Sequence, residues 1–211
     1  MKQMVHYALV LLILGGTAGV GLYGVNNLTS ERIAEAMKRN LTEGQKQLFP
    51  AAASFDGPLS FPLSSDSGTY YKVLGADNTV IGYELDGAVQ GYQSKVRVLT
   101  GVTTNGVITG IKVLEQAETP GLGAEVQAVP STRTLWSALA GLFSEAEKES
   151  AAALLPPFQT QFAGKDLGGL AVVKQKDPAK IEAISGATIT SEAVTRAVRE
   201  PLEAFLAWNG K

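Results

Sequence analysis

The chain has 211 residues, 45% hydrophobic and 18% charged, with a formal net charge of −2. That is enough for one globular domain and an additional segment, and the mild acidity offers no basic footprint for nucleic acid. With no cysteine and one histidine, His6, the chain excludes structural zinc, cysteine-held iron–sulfur clusters and Cys-x-x-Cys-His haem attachment, so electron chemistry would need an organic cofactor.

From Val5 to Ser30 no acidic or basic residue occurs apart from His6. The apolar core, residues 7–25, matches the ~20 residues a helix needs to cross a bilayer, and Tyr7 and Tyr23 lie near its ends, where amphipathic rings favour the interface. The length of the run and the lack of a following Ala-x-Ala site favour an uncleaved anchor, residues 1–28, over a signal peptide. Gly15-x-x-x-Gly19 permits close helix approach. Lys2 precedes the span while Arg32, Lys38, Arg39 and Lys46 follow it, so the charge count alone does not put the rest of the chain outside. Residues 29–68 read as a helix and a linker. Ser30 is placed to cap a helix continuing from the anchor to about Leu48, with Ile33, Ala34, Met37, Leu41 and Leu48 as a partial apolar stripe. Phe49-Pro50 ends it, and the proline, serine, glycine and alanine that follow, up to Thr69, predict a loop.

Residues 69–211 read as one domain. The period changes to two: residues 70–74 and 80–85 flank Gly75-Ala76-Asp77-Asn78 as a hairpin. Residues 95–103 place Val96, Val98 and Val102 on one face, and Asn105-Gly106 supplies the positive φ angles of a tight turn into residues 107–114. An antiparallel meander is the expected centre of the domain. Glu118-Thr119-Pro120-Gly121-Leu122-Gly123 follows, a stretch that turn chemistry alone accounts for. Residues 131–143 read as a helix with Leu135, Trp136, Leu139, Leu142 and Phe143 on its core face, and Glu145, Glu147, Lys148 and Glu149 as a solvated helical face in residues 144–155. Pro156-Pro157 stops it. Residues 170–173 form a last apolar strand, with Lys174 and Lys176 at its end placed either to attract a phosphate or simply to decorate the strand end.

Ser185-Gly186-Ala187-Thr188-Ile189-Thr190-Ser191 then leads into a helix with Ala193/Val194, Ala197/Val198, Leu202 and Phe205/Leu206 at helical spacing. Thr190 or Ser191 is placed to cap that helix from Glu192, and Pro201 is expected to kink or divide it. A glycine and several hydroxyls thus stand where a helix exposes its amides, which suits a phosphate and equally suits plain turn-and-cap chemistry. No lysine or histidine stands among them to activate a hydroxyl.

Ser185-Gly186-Ala187-Thr188 and Glu118-Thr119-Pro120-Gly121-Leu122-Gly123 resemble, in matching order, two motifs of the FMN-binding domain family, and residues 158–165 resemble its aromatic-glycine element. The family includes the G subunit of the Rnf ferredoxin:NAD oxidoreductase and the C subunit of the sodium-translocating NADH:quinone oxidoreductase. The family often has Asp where Glu182 stands and Gly-Gly where Gln93-Ser94 stand. The resemblance implies an α+β fold: one N-terminal transmembrane helix, then an FMN-binding domain with an antiparallel sheet and flanking helices. It implies FMN joined covalently, as a phosphoester, to Thr188 by a separate flavin transferase, which fits the missing local base. Ser185, Gly186, Ala187, Thr190 and Ser191 would bind the cofactor with Glu118, Thr119, Gly121, Leu122 and Gly123. In that reading glycine backbone approaches the flat ring, Leu122 packs on it, and Glu118 and Thr119 hydrogen-bond its polar edge or ribityl chain. No catalytic residue and no metal are implied. The implied function is electron relay without independent substrate chemistry, in a membrane ion-translocating complex with other membrane subunits, one bearing a second flavin. The implied location is a bacterial or archaeal cell membrane, single-pass, with the FMN domain on the periplasmic or extracellular face. The short chain and single anchor fit the G-type subunit better than the C-type one. A membrane-tethered binding or scaffold module without cofactor is the reading from another class.

Overall fold

The computed structural model describes residues 2–63, 66–129 and 155–209, and its contacts separate two units, Met1–Thr42 and Glu43–Lys211. Helix α1 (Lys2–Leu48) supplies all of the first. Its apolar part is long and hydrophobic enough to cross a membrane, and none of it is buried by the protein. Ser30 does not cap a second helix: its hydroxyl donates back to the Asn27 carbonyl at 3.0 Å, and Thr29 does the same to Val25 at 2.9 Å. With helical turns already formed upstream, no free amides remain there for a cap to satisfy.

In the second unit β1 (Ser54–Leu63), β2 (Asp66–Leu74), β3 (Val80–Gln90), β4 (Lys95–Thr103) and β5 (Ile108–Glu115) form an antiparallel meander in chain order. The stretch that composition reads as a loop is thus largely strand β1. Pro58 and Pro62 are tolerated because β1 is an edge strand pairing only with β2, and the register shifts between Asp56 and Leu59. The β4–β5 turn falls at Asn105-Gly106, but only Gly106 takes a positive φ, 82°; Asn105 does not, and the Gly106 amide closes the turn on the Thr103 carbonyl at 3.0 Å.

One face of the sheet carries the core. Leu85, Val96, Val98, Val102, Ile111 and Val113 are buried there against Val194, Val198, Leu202 and Phe205 of the last helix, α3 (Thr188–Asn209). That helix runs 22 residues without division at Pro201. Proline has no N–H, so the Ala197 carbonyl loses its helical donor. It lies against Gly87 of β3, where an added Cβ would come within 1.9 Å of it and 2.8 Å of the Pro201 ring. Glycine therefore sets the helix–sheet spacing. Gly87→Ala is expected to destabilise the chain by about 1–3 kcal/mol through overpacking. An unchanged urea midpoint would show that the helix can back away.

The opposite face is covered from Glu43 onward by the last turn of α1. Leu48 and Phe49 fill a gap left by Gly82, Gly101 and Gly110, whose added Cβ atoms would meet those two side chains at 2.6–3.2 Å. Glu84 sits in the same face, 0% exposed, and neither carboxylate oxygen has a hydrogen-bond partner in good geometry among the described residues.

Beyond the sheet, α2 (Pro157–Thr160) is pinned by buried Gln159, which donates to the Val126 carbonyl at 2.8 Å. The predicted strand at 170–173 is reduced to β6 (Val172–Val173), paired in parallel with β7 (Ile181–Glu182), which leads into α3. The helix expected at 131–143 and most of the charged run after it, including Trp136 and Glu145, lie outside the described residues.

Candidate functional site

Two segments far apart in the chain meet at one cleft of about 390 Å³, lined by Glu118, Thr119, Leu122, Gly123, Gly186 and the first turn of α3, with Tyr92 at its edge. That is within the roughly 300–1,000 Å³ of small-molecule sites. The 118–123 loop reaches it because Gly121, at φ 75°, turns the chain so that the Leu122 and Ala124 amides bond to the Thr119 carbonyl at 3.1 and 3.2 Å. Gly186, at φ 76°, makes the opposing turn, and a Cβ there would press on Leu122 at 3.0 Å. Both positions need glycine for the turn itself.

Helix α3 begins at Thr188, earlier than the predicted cap positions. Thr190 and Ser191 therefore lie inside its first turn. The Ser191 hydroxyl accepts from the Ile184 amide at 3.0 Å and donates to the Ala187 carbonyl at 3.0 Å, tying the approach segment to the helix. The first-turn bond runs from the Ser191 amide to the Ala187 carbonyl at 3.0 Å. The amides of Thr188, Ile189 and Thr190 precede it, and such amides are the ones a helix offers to an outside acceptor. Thr188 is half-buried and lines the cleft; Ser185 is exposed.

Glu118 is 5% exposed and accepts five hydrogen bonds. Its Oε1 takes the Gln93 amide at 3.0 Å, the Ser94 amide at 2.9 Å and the Ser94 hydroxyl at 3.2 Å. Its Oε2 takes the Thr190 hydroxyl at 2.7 Å and the Tyr92 amide at 3.3 Å. Burial pushes this carboxyl up, but the Ser94 amide, the Thr190 hydroxyl, the Gln93 amide and the Ser94 hydroxyl outweigh it and hold the group below its ordinary value. Stability from those bonds is present above the unfolded carboxyl value and lost as pH falls through the lower folded one. Gly91 and Gly123 make room for it: Cβ atoms there would stand 2.7 Å from Oε1 and 2.9 Å from Oε2. Thr119 donates to the Gln93 side chain at 3.3 Å.

The cleft thus gathers Glu118, Thr119, Leu122, Gly123, Gly186, Ala187, Thr188 and Thr190, while Gly121 shapes its loop and Ser191 supports its helix from behind. Sequence reading passed over Ile189, 53% exposed on the cleft wall, and left Tyr92, 69% exposed, outside the named site residues although its Gly91-Tyr92 loop resembles a family element. Ile189 falls outside the apolar period of α3, which was the available signal for a side chain turned away from the core. A second concavity, of about 800 Å³ near Glu125, Phe158 and Glu182, holds none of the motif hydroxyls.

Residues 91–203, which include both cleft-forming segments, match the FMN-binding domain. The chain belongs to the FMN-binding domain family. Among its relatives, the G subunit of the Na(+)-translocating ferredoxin:NAD(+) oxidoreductase complex of Acetobacterium woodii is 29% identical, covering 97% of this chain and 92% of its own. The G subunit of the ion-translocating oxidoreductase complex of Pseudomonas aeruginosa is 32% identical, over 97% of this chain and 89% of its own. The solved structure of the C subunit of the Na(+)-translocating NADH-quinone reductase from Parabacteroides distasonis aligns with 68% of this chain and 63% of that one, at 22% identity and a TM-score of 0.46. The cleft's volume and the Thr188 hydroxyl at the start of α3 are compatible with a flavin phosphate.

Proposed function

We propose that this chain is a G-type subunit of a membrane ion-translocating ferredoxin:NAD oxidoreductase, relaying electrons through FMN held as a phosphoester on Thr188. The observation that carries the reading is the position of Thr188. It is among the residues lining the cleft that both motifs build, in the helix turn whose amides precede the first helical bond. Full-length similarity to G subunits from distant organisms supports the assignment of the whole chain, anchor included.

In this reading the first-turn amides of α3 and the helix dipole face the phosphate, and a phosphodiester asks for compensation of one negative charge without a lysine. Leu122, Tyr92 and Ile189 supply apolar surface for a flat ring. When bound, FMN supplies reversible one- and two-electron chemistry. A bond to Thr188 keeps the cofactor in place whatever its redox state, where affinity alone would vary with it. Among the described residues no lysine or histidine lines the cleft, so a separate flavin transferase would be needed to join the flavin phosphate to the Thr188 hydroxyl, taking up its proton and the donor's leaving group. Helix α1 anchors the protein beside other membrane subunits of the complex, one bearing a second flavin, with the FMN domain on the periplasmic or extracellular face.

Intact and peptide mass of the chain from native membranes tests this. The expected increment is one FMN less one water, on the peptide containing Thr188. An unmodified Thr188 peptide would discard the electron-relay reading and leave an anchored binding module.

A further inference from the structure

We propose that Glu118 is the positioning residue of the cleft: its buried carboxylate joins the 91–94 loop and the 118–123 loop to the first turn of α3 and fixes where Thr188 stands before any cofactor is attached. The family resemblance implies a carboxylate that bonds the flavin edge. The hydrogen bonds argue for a different task. A carboxylate offers about four lone-pair sites. Glu118 already accepts from five protein donors, so its acceptor capacity is spent inside the protein.

The geometry also says what it connects. Oε1 is occupied by the loop before β4, and Oε2 by Thr190, two residues beyond Thr188 in the same helical turn. Gly91 and Gly123 are hollows around this side chain, since a Cβ at either would lie within 3 Å of it. Ser94 adds a brace by accepting from the Ala117 amide at 2.8 Å. Three segments remote in sequence therefore converge on one buried anion, and charge-assisted bonds of this kind are about twice as strong as neutral ones.

The variants separate clamp from ligand. In Glu118→Ala all five contacts go. In Glu118→Gln the amide oxygen can keep the Gln93 and Ser94 donors, and Thr190 can turn to accept from the new NH2, so only the Tyr92 amide meets a donor. Thr190→Val cuts the helix connection alone, and it serves if the alanine variant fails to fold.

The experiment is amide hydrogen exchange on the full chain without flavin, in detergent, paired with the flavinylated fraction after co-expression with a flavin transferase. In Glu118→Ala, exchange is expected to rise at least tenfold at Gln93, Ser94 and Ser191 together, and the flavinylated fraction to fall below a tenth of wild type. Glu118→Gln should stay within threefold of wild type on both readouts except at Tyr92. Thr190→Val should raise exchange at Ser191 and leave Gln93 and Ser94 protected. The proposal rests on the Thr188 reading only for the second readout. A wild-type chain that takes up no flavin would overturn that reading, and the exchange data would still decide the clamp. Unchanged exchange at Ser191 in both Glu118→Ala and Thr190→Val would overturn the clamp while leaving Thr188 in place.

Discussion

Thr188→Ala is expected to leave a folded chain from which denaturation removes every trace of flavin. The variant loses one hydroxyl and little else. Thr188 is half-buried at the start of α3, and alanine is the best helix former available there. The bonds that hold this turn belong to its neighbours, Thr190 to Glu118 and Ser191 to Ile184 and Ala187. Stability should therefore change by less than about 1 kcal/mol, as for substitutions away from packed or bonded groups. Thr188→Ser, which keeps the hydroxyl, should recover covalent flavin. Absorbance of the precipitated, washed protein separates the outcomes. Yellow precipitate from the alanine variant would mean that the bond lies elsewhere, and the role given to Thr188 would fall.

Glu84→Gln is expected to stabilise the chain by on the order of 3 kcal/mol at pH 8 and by no more than about 1 kcal/mol at pH 5. Burial under the last turn of α1 pushes the Glu84 carboxyl from 4.5 to about 7, against a smaller opposing effect of the nearby Gln45 amide. The ionised form finds no bonded partner among the described residues. Glu84 also acts on Tyr71 of β2, whose hydroxyl is raised chiefly by burial, then by Asp86, against a lowering by Arg97, and least by Glu84. Folded Glu84 keeps its proton up to about pH 7, whereas the unfolded chain releases it near 4.5. Between those values the folded state binds more protons, so stability is highest below 4.5 and falls as pH rises through 7. A rise from 4.5 to about 7, at about 1.4 kcal/mol for each pH unit, gives the expected size. Urea unfolding of both chains between pH 5 and 8 checks it. Parallel curves would show that water or a cation reaches Glu84 and that burial costs nothing there. Glu118 does not confuse the result, because its opposite effect belongs to pH below the ordinary carboxylate range.

Period-two segments, Asn105-Gly106 and the apolar stripe of α3 were legible because each is local: strand alternation, turn chemistry and helical spacing need only near neighbours. The apolar length of residues 7–25 likewise predicts a helix able to span a bilayer with no reference to the rest of the chain. From their residues alone both motifs read as turn-and-cap chemistry, and only their resemblance to the FMN-binding domain family pointed to a cofactor. What no local pattern carries is partnership across the chain. Pro58 and Pro62 looked like loop residues because the sequence does not say that their strand lies at a sheet edge. Pro201 looked like a helix break because the sequence does not show Gly87 waiting beneath the Ala197 carbonyl. Thr190 looked like a cap because the sequence does not show the Glu118 carboxylate that its hydroxyl meets across 72 residues of sequence. Composition, period and motif determined the long apolar helix, the meander and the candidate attachment residue. Only the tertiary structure decided which polar groups are spent on one another, as Glu118 is on Thr190 and on the Gln93 and Ser94 amides, because hydrogen-bond satisfaction is settled by distant segments meeting in space.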